Sequence, residues 1–167
     1  MKKTAFIAFM LVLLLGSTLV YGLVGSKLEL KSQPVMVVSA AQQPAEFKRL
    51  QDAVKNRSLV GTAFQSELSG SAEDYQLVVY TVHLYNKGLV AADMAEMVIS
   101  PSKNDVLCYT DGSVQGKLPS IYVPAGGSAS IRCVLLTKSP SKLNTVRDAY
   151  ISYYVWGNPM TIKVTFS

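Results

Sequence analysis

Few residues in this sequence could carry out catalysis. The chain has one histidine and two cysteines. A Ser-His-Asp triad would have to use His83, which lies between Val82 and Leu84 in a predicted strand, and no Gly-x-Ser-x-Gly sequence surrounds a serine. Cys108 and Cys133 do not form a Cys-x-x-Cys pair, and one further histidine is too little for a zinc site. The sequence therefore predicts no catalytic residue, no metal ligand and no cofactor.

The acidic residues do not suggest a site either. Asn104-Asp105 lacks the alternating acids of a calcium loop, and Glu73-Asp74 is an isolated pair on a predicted turn. Paired catalytic carboxylates would have to face each other across a cleft. We therefore predict that the protein is not an enzyme.

The elements that would position these side chains are strands. From Leu59 onward the apolar residues alternate with a period of two, and clusters of Gly, Pro, Asn and Asp separate the alternating runs. About seven or eight short strands without intervening helices predict an antiparallel β-sandwich with Greek-key connections. The predicted strands are Phe64–Leu68, Tyr75–Tyr85, Met94–Ile99, Val106–Thr110, Lys117–Val123, Ser128–Lys138, Val146–Trp156 and Met160–Phe166, with Gly157-Asn158-Pro159 as the last hairpin loop.

One short amphipathic helix is predicted before these strands, over Pro44–Asn56. Proline suits the first helical position, and Phe47, Leu50 and Val54 recur at helical spacing on one side. We expect this stripe to pack on the sandwich. A helix that binds a partner or a membrane surface is the alternative.

The last hairpin contains the aromatic group of most interest. Alternation predicts Tyr150, Tyr154 and Trp156 on one side of the strand and Ile151 on the core side. Exposed rings of this size are typical of surfaces that recognise sugars or peptides. We expect instead that the helix Pro44–Asn56 covers the three rings and makes them part of the core.

The N-terminal segment predicts a membrane location. Ala5–Val24 is uncharged and mostly apolar, and as a helix of about 20 residues it would span about 30 Å, the thickness of a bilayer core. Lys2 and Lys3 precede it, which places the N-terminus in the cytoplasm and the rest of the chain outside. The same residues fit a cleaved signal peptide, which would give a secreted protein. We favour a retained single-pass anchor.

Three segments are therefore predicted: an anchor or signal segment at 1–24, a juxtamembrane segment with the short helix at 25–58, and the sandwich at 59–167. The two cysteines of an exported domain allow a disulfide between Cys108 and Cys133, and two buried thiols are the alternative. The net charge is +5, and the lysines are scattered, so we predict no nucleic-acid binding.

Two turn sequences carry a resemblance to a known family. Tyr85-Asn86-Lys87-Gly88 closes one predicted strand, and a Pro-Ala-Gly-Gly-Ser turn beginning at Pro124 precedes another. Both resemble turns of bacterial extracytoplasmic immunoglobulin-like domains of the adhesion-related and fibronectin-like kind. The arrangement of anchor and domain is similar to that of small single-pass bacterial proteins. The resemblance implies an immunoglobulin-like sandwich outside the cytoplasm, and it carries over no functional residue.

These observations predict a membrane-anchored extracytoplasmic domain with a structural or protein-interaction role. Its partners would be the membrane, through residues 5–24, and a protein of the cell envelope. The alternative is a module that binds glycan or cell wall through the aromatic side of the last hairpin.

Overall fold

The alternating segments fold into strands of two antiparallel sheets, as seen in a computed structural model of the chain. The structure describes residues 2–24, 27–59, 64–65, 68–110, 120–138 and 143–167. The helices and strands of these residues are α1 (Lys2–Val24), β1 (Leu28–Ser32), β2 (Met36–Ser39), α2 (Pro44–Lys55), β3 (Phe64–Gln65), β4 (Tyr75–Asn86), β5 (Ala92–Ile99), β6 (Asp105–Thr110), β7 (Ile121–Val123), β8 (Ser128–Lys138), β9 (Arg147–Val155) and β10 (Asn158–Phe166).

The first sheet has the strand order β1-β4-β8-β6-β3, and β2 also pairs with β4. β1 and β2 share one edge of the long strand β4, because Leu28 is the partner of Asn86 and Met36 is the partner of Val79. The second sheet has the order β10-β9-β5-β7. The prediction of a mostly β protein with antiparallel sheets is therefore confirmed.

The two sheets share one buried core. β4 contributes every second residue to it, namely Val78, Tyr80, Val82 and Leu84. The core also takes Ile131, Cys133 and Leu135 from β8, and Ala149, Ile151, Tyr153 and Val155 from β9. These are the core sides that the alternation predicts, because a strand places successive side chains on opposite faces.

The first sheet begins at β1, further toward the N-terminus than the sequence indicates, since the alternation suggests only a short strand at Val35–Val38 in this segment. β1 and β2 lie within the segment 25–58, and both form ladders with β4. The sandwich boundary predicted at Leu59 therefore differs from the boundary of the sheet, which starts at Leu28. β1 is only five residues long and follows α1 closely, so its alternation is too short to stand out.

α2 covers one end of the outer side of the first sheet. Phe47 and Leu50 are buried in a second apolar cluster, and Val54 is partly buried against it. The rings of Phe47 and Tyr75 have centroids 5.3 Å apart. The sheet side of this cluster consists of Tyr75, Leu77, Val79, Val106, Leu107, Tyr109, Val134 and Leu136. The first half of β4 is therefore buried on both faces, which explains its nearly continuous apolar sequence.

The last hairpin turns more tightly than predicted. Val155 pairs with Asn158, so the loop is Trp156-Gly157 rather than Gly157-Asn158-Pro159. Trp156 has φ 49° and Gly157 has φ 78°, and two positive φ values define the type I′ turn that suits the twist of a hairpin. Trp156 therefore lies in the turn and not on the face of β9.

α1 is a helix over Lys2–Val24. Its side chains at positions 5–18 are all exposed. In the described part of the chain, no helix meets the length and hydropathy required of a membrane span.

Candidate binding face

The outer side of the second sheet exposes large side chains. In the first sheet, the large side chains at one end of the outer side are buried under α2. Tyr150 and Tyr154 of β9 point away from the core and are each 41% exposed. Tyr150 lies between Val98 of β5 and Lys163 of β10 in the ladder. We call this surface the aromatic face; it consists of Val98, Tyr150 and Tyr154, with the exposed Met94 and Trp156 at its end.

The end of the aromatic face contains two strained backbone positions. Met94 has φ 53° and Trp156 has φ 49°, a region that side chains other than glycine occupy at a cost of about 1–2 kcal/mol. Met94 lies in an irregularity of β5 between Ala92 and Ala95, and Trp156 follows Tyr154 by two residues. Bulges and strained residues are concentrated at functional sites, where they direct particular side chains. Trp156 has its φ from the turn of the last hairpin, and Met94 has its φ from the irregularity of β5.

Charged groups lie beside the rings. The Nζ atom of Lys163 lies 2.8 Å from Oδ2 of Asp148, and the hydroxyl of Thr165 donates to Oδ1 of Asp148 over 2.7 Å. The hydrogen bond from Lys163 lowers the pKa of Asp148, and the bond to Asp148 raises the pKa of Lys163. Rings next to fixed charges can stack on an apolar surface and also bond to hydroxyl or amide groups, as sugar and peptide sites require.

The expectation that the predicted helix covers Tyr150, Tyr154 and Trp156 is wrong. α2 packs on the first sheet, and Trp156 is 53% exposed. The periodicity of α2 correctly indicates an apolar stripe, but it does not identify the sheet against which that stripe packs.

A buried ion pair holds the start of β9, the strand that carries both tyrosines. Arg147 donates from Nε to Oδ2 of Asp105 and from one NH2 hydrogen to Oδ1, each over 3.0 Å. Its remaining donors bond to the hydroxyl of Ser102 and to the carbonyls of Asn144 and Val146. Burial lowers the pKa of Arg147, but its hydrogen bonds to Asp105 and the charge of that residue outweigh burial and raise it. All five guanidinium hydrogens are therefore used.

Tyr80 binds the carbonyl of Thr145, which lies between the carbonyls of Asn144 and Val146 that Arg147 binds. Its hydroxyl donates to the carbonyl of Thr145 over 2.9 Å, and its ring meets that of Phe166 at 4.9 Å between centroids. Burial raises the pKa of Tyr80 to about 12, so the phenol remains a donor at neutral pH. Three successive carbonyls before β9 thus accept bonds from core side chains. No local pattern indicates this arrangement, because Arg147 and Asp105 lie in separate strands, 42 positions apart.

The two cysteines lie side by side on neighbouring strands. Cys108 of β6 and Cys133 of β8 are buried, and their Sγ atoms are 2.9 Å apart. This separation exceeds the length of a disulfide bond, about 2.05 Å. The predicted disulfide remains a prediction, and the closeness of the thiols makes its formation geometrically simple.

We expect alkylation to detect no thiol in the unreduced, denatured protein and two thiols after reduction. The physical reason is that an oxidising compartment, to which the domain is exported if the predicted location is right, joins neighbouring thiols. Closing this loop should stabilise the fold by about 3 kcal/mol. The measurement is the mass added by iodoacetamide to protein isolated from membranes under acid quench. Two labelled cysteines without reduction would contradict the disulfide.

The ring of His83 lies between a hydroxyl and a side-chain amide. Its Nδ1 is 2.7 Å from the hydroxyl of Ser130, and its Nε2 is 2.6 Å from the amide nitrogen of Gln33. The histidine of a triad is oriented by a carboxylate, whereas Gln33 provides an amide. Among the described residues, no group of three His, Cys, Asp or Glu side chains could hold a metal ion.

No protein-family model and no curated protein matches this sequence in the comparisons.

Proposed function

We propose that the protein is a membrane-anchored extracytoplasmic domain of a bacterial envelope, with a structural or protein-interaction role mediated by the aromatic face. The observation that carries this proposal is the contrast between the two outer surfaces. α2 covers one end of the outer side of the first sheet, while in the second sheet Tyr150, Tyr154 and Val98 lie at the surface. Exposed apolar side chains grouped on one face are typical of interaction surfaces.

Two features of α1 support the anchor. Ala5–Val24 carries no charge, and the described side chains between positions 5 and 18 are all exposed. The hydroxyls of Ser17 and Thr18 donate to backbone carbonyls one turn earlier, at Leu14 and Leu15. A polar group in a lipid environment needs such an internal partner, because no water is present to bond it.

The strand orders support an immunoglobulin-like sandwich. In a constant-type immunoglobulin domain, strands A to G form one sheet in the order A-B-E-D and a second sheet of C, F and G. The orders β1-β4-β8-β6 and β10-β9-β5 correspond to these sheets, if β1, β4, β5, β6, β8, β9 and β10 take the letters A to G. The cysteines differ from the disulfide of antibody domains, which joins strands B and F of opposite sheets. Here both cysteines belong to the first sheet.

We expect protease added to intact spheroplasts to digest the domain, because the positive N-terminus keeps the remainder of the chain outside. The measurement is loss of a C-terminal epitope on a blot, with a cytoplasmic protein as the control that survives. Survival of the epitope would contradict the proposed topology. Recovery of the epitope in the culture medium would show that the segment is cleaved.

We expect a photo-crosslinking amino acid at Tyr150 to give a discrete covalent product in cells. The same amino acid at Lys48 should give none, because Lys48 is exposed on α2, away from the aromatic face. The measurement is a shifted band on a blot, identified by mass spectrometry. Identical products at both positions would mean that the aromatic face has no selective partner.

Binding to glycan or cell wall is the second candidate, and the exposure of both tyrosines favours it. A sugar ring can stack on an aromatic side chain only if one face of the aromatic ring is uncovered. If the ligand is a glycan, purified cell wall should sediment the wild-type protein, and Tyr150→Ala with Tyr154→Ala should remain in the supernatant. Equal sedimentation of both proteins would exclude this use of the rings.

A further inference from the structure

One end of the sandwich is the end at which the chain arrives from α1. α1 ends at Val24, and β1 begins at Leu28, which is the partner of Asn86 at the end of β4. The backbone N–H of Lys87 donates to the carbonyl of Lys27 over 2.8 Å. The chain therefore enters the first sheet beside the connection that leads from β4 to β5. We call this part of the domain the entry end.

Hydrogen bonds and strand pairing bring the second sheet to the entry end as well. The side-chain amide of Asn86, which is 1% exposed, donates to the carbonyls of Val90 and Val123 over 2.7 and 3.2 Å. Val123 is the last residue of β7 and pairs with the first residue of β5. Asp93, the second residue of β5, is the partner of Tyr154. The start of β5, the end of β7 and the turn of the last hairpin thus lie at the entry end.

The entry end exposes large side chains. Five of them are between 41% and 70% exposed: Leu89, Met94, Tyr122, Tyr154 and Trp156. Leu89 lies in the connection between β4 and β5, and Tyr122 lies opposite the irregularity of β5 that contains Met94. Grouped apolar side chains at a surface mark contacts with a protein or a membrane. Tyrosine and tryptophan favour the boundary between lipid and water in particular, because each ring is apolar and carries one polar group.

We propose that the entry end of the domain lies on the bilayer surface, with Leu89 and Trp156 among the lipid headgroups and Tyr122 beside them. This inference rests on the proposed anchoring by α1, because the short connection after α1 would hold the entry end, and not the opposite end, beside the membrane. The position of this end favours lipid as the occupant over a soluble partner. The exposed side chains would exchange contact with water for contact with lipid.

The charges at the entry end balance. Among the residues that the structure describes there, two exposed lysines are matched by two exposed acids: Lys27, Lys87, Glu29 and Asp93. Attraction to anionic lipid therefore contributes little to the contact, which comes from the apolar and aromatic side chains. Vesicles of zwitterionic phosphatidylcholine should be sufficient to observe it.

The rest of the aromatic face stays clear of this contact. Val98 and Tyr150 are partners in the ladder of β5 and β9. Tyr150 precedes Tyr154 by four residues, which at about 3.3 Å per residue places it about 13 Å further from the entry end. The two proposed surfaces can therefore be occupied at the same time, one by lipid and one by a protein partner.

The fluorescence of Trp156 reports on the entry end, because the chain has a single tryptophan. The full chain is reconstituted into phosphatidylcholine vesicles, with or without bromine atoms on the acyl chains close to the headgroups. Bromine quenches only an indole that lies against it. We expect brominated lipid to remove most of the Trp156 fluorescence.

A second reporter tests whether the contact is confined to the entry end. The double variant Trp156→Phe, Val146→Trp moves the indole to the exposed position before β9. Val146 lies at the opposite end of this strand, about 30 Å away, so brominated lipid should leave this fluorescence unchanged.

A charge at the contact should break it. Leu89→Glu should restore most of the Trp156 fluorescence in brominated vesicles, because a carboxylate loses hydration when it enters lipid. Val146→Glu is the matched control, since it adds the same charge to an exposed aliphatic position at the opposite end. It should leave the quenching as it is, and circular dichroism confirms that both variants fold.

Flotation in a density gradient separates this inference from the anchor on which it rests. A chain that does not float with the vesicles would overturn both. A chain that floats while Trp156 stays unquenched would overturn only the contact between the entry end and lipid. Equal quenching of the two tryptophan reporters, or equal effects of the two glutamate substitutions, would overturn that contact as well.

Discussion

Asp105→Ala should lower the free energy of unfolding by about 3–5 kcal/mol, because it leaves the buried guanidinium of Arg147 without its counter-charge. The side chains of Arg147 and Asp105 are 6% and 0% exposed, so water cannot replace the lost carboxylate without opening the core. Asp105 also accepts a bond of 2.7 Å from the backbone N–H of Ser102, which the substitution would break. The measurement is urea unfolding of the full chain in micelles, followed by the fluorescence of its single tryptophan.

Lys163→Met provides the matched control for this prediction. It breaks the ion pair with Asp148, which lies on the surface rather than in the core. Exposed ion pairs contribute little to stability, so the unfolding curve should hardly move. If Asp105→Ala shifted the curve no further than Lys163→Met, the buried pair would not be a principal support of β9.

Leu50→Asp should lower the free energy of unfolding by at least about 3 kcal/mol, and the melting temperature by roughly 10 °C. Leu50 is 0% exposed between α2 and the first sheet. Removing the leucine side chain already leaves a cavity, and the carboxylate then has to lose its hydration or force the helix away from the sheet. Differential scanning calorimetry of the full chain in micelles measures the effect.

The control substitution is Lys48→Asp, on the exposed side of the same helix. It has a similar effect on helix propensity but touches no apolar cluster, so the melting temperature should change little. An unchanged melting temperature in Leu50→Asp would mean that α2 contributes nothing by packing and is available to a partner or to lipid.

The sequence predicted the elements well wherever apolar residues recur at a regular period. β8 has the predicted bounds, Ser128–Lys138, because Ala129, Ile131, Cys133 and Leu135 recur at every second position. α2 begins at Pro44, as its composition predicts, and ends one residue before the predicted Asn56. In both elements, local periodicity was enough to place the element in the sequence.

The candidate face was harder to predict, because it depends on how distant segments meet. The stripe of α2 could have covered either sheet, and nothing local to Leu50 distinguishes them. Arg147 and Asp105 are 42 positions apart. A charged residue in a predicted strand is expected at the surface unless an oppositely charged partner can be identified. The turn at Trp156-Gly157 was misplaced because such turns favour Asn or Gly at the position that Trp156 occupies.

The short connection between α1 and the first sheet has a consequence for where the domain can act. α1 ends at Val24 and β1 begins at Leu28. An extended chain covers at most about 3.6 Å per residue, so this tether reaches no more than about 14 Å. With α1 seated in the bilayer, as we propose, the domain would remain at the lipid surface and diffuse in two dimensions. A partner would then have to reach the membrane surface itself, because the connection is too short for the domain to contact molecules further from the bilayer.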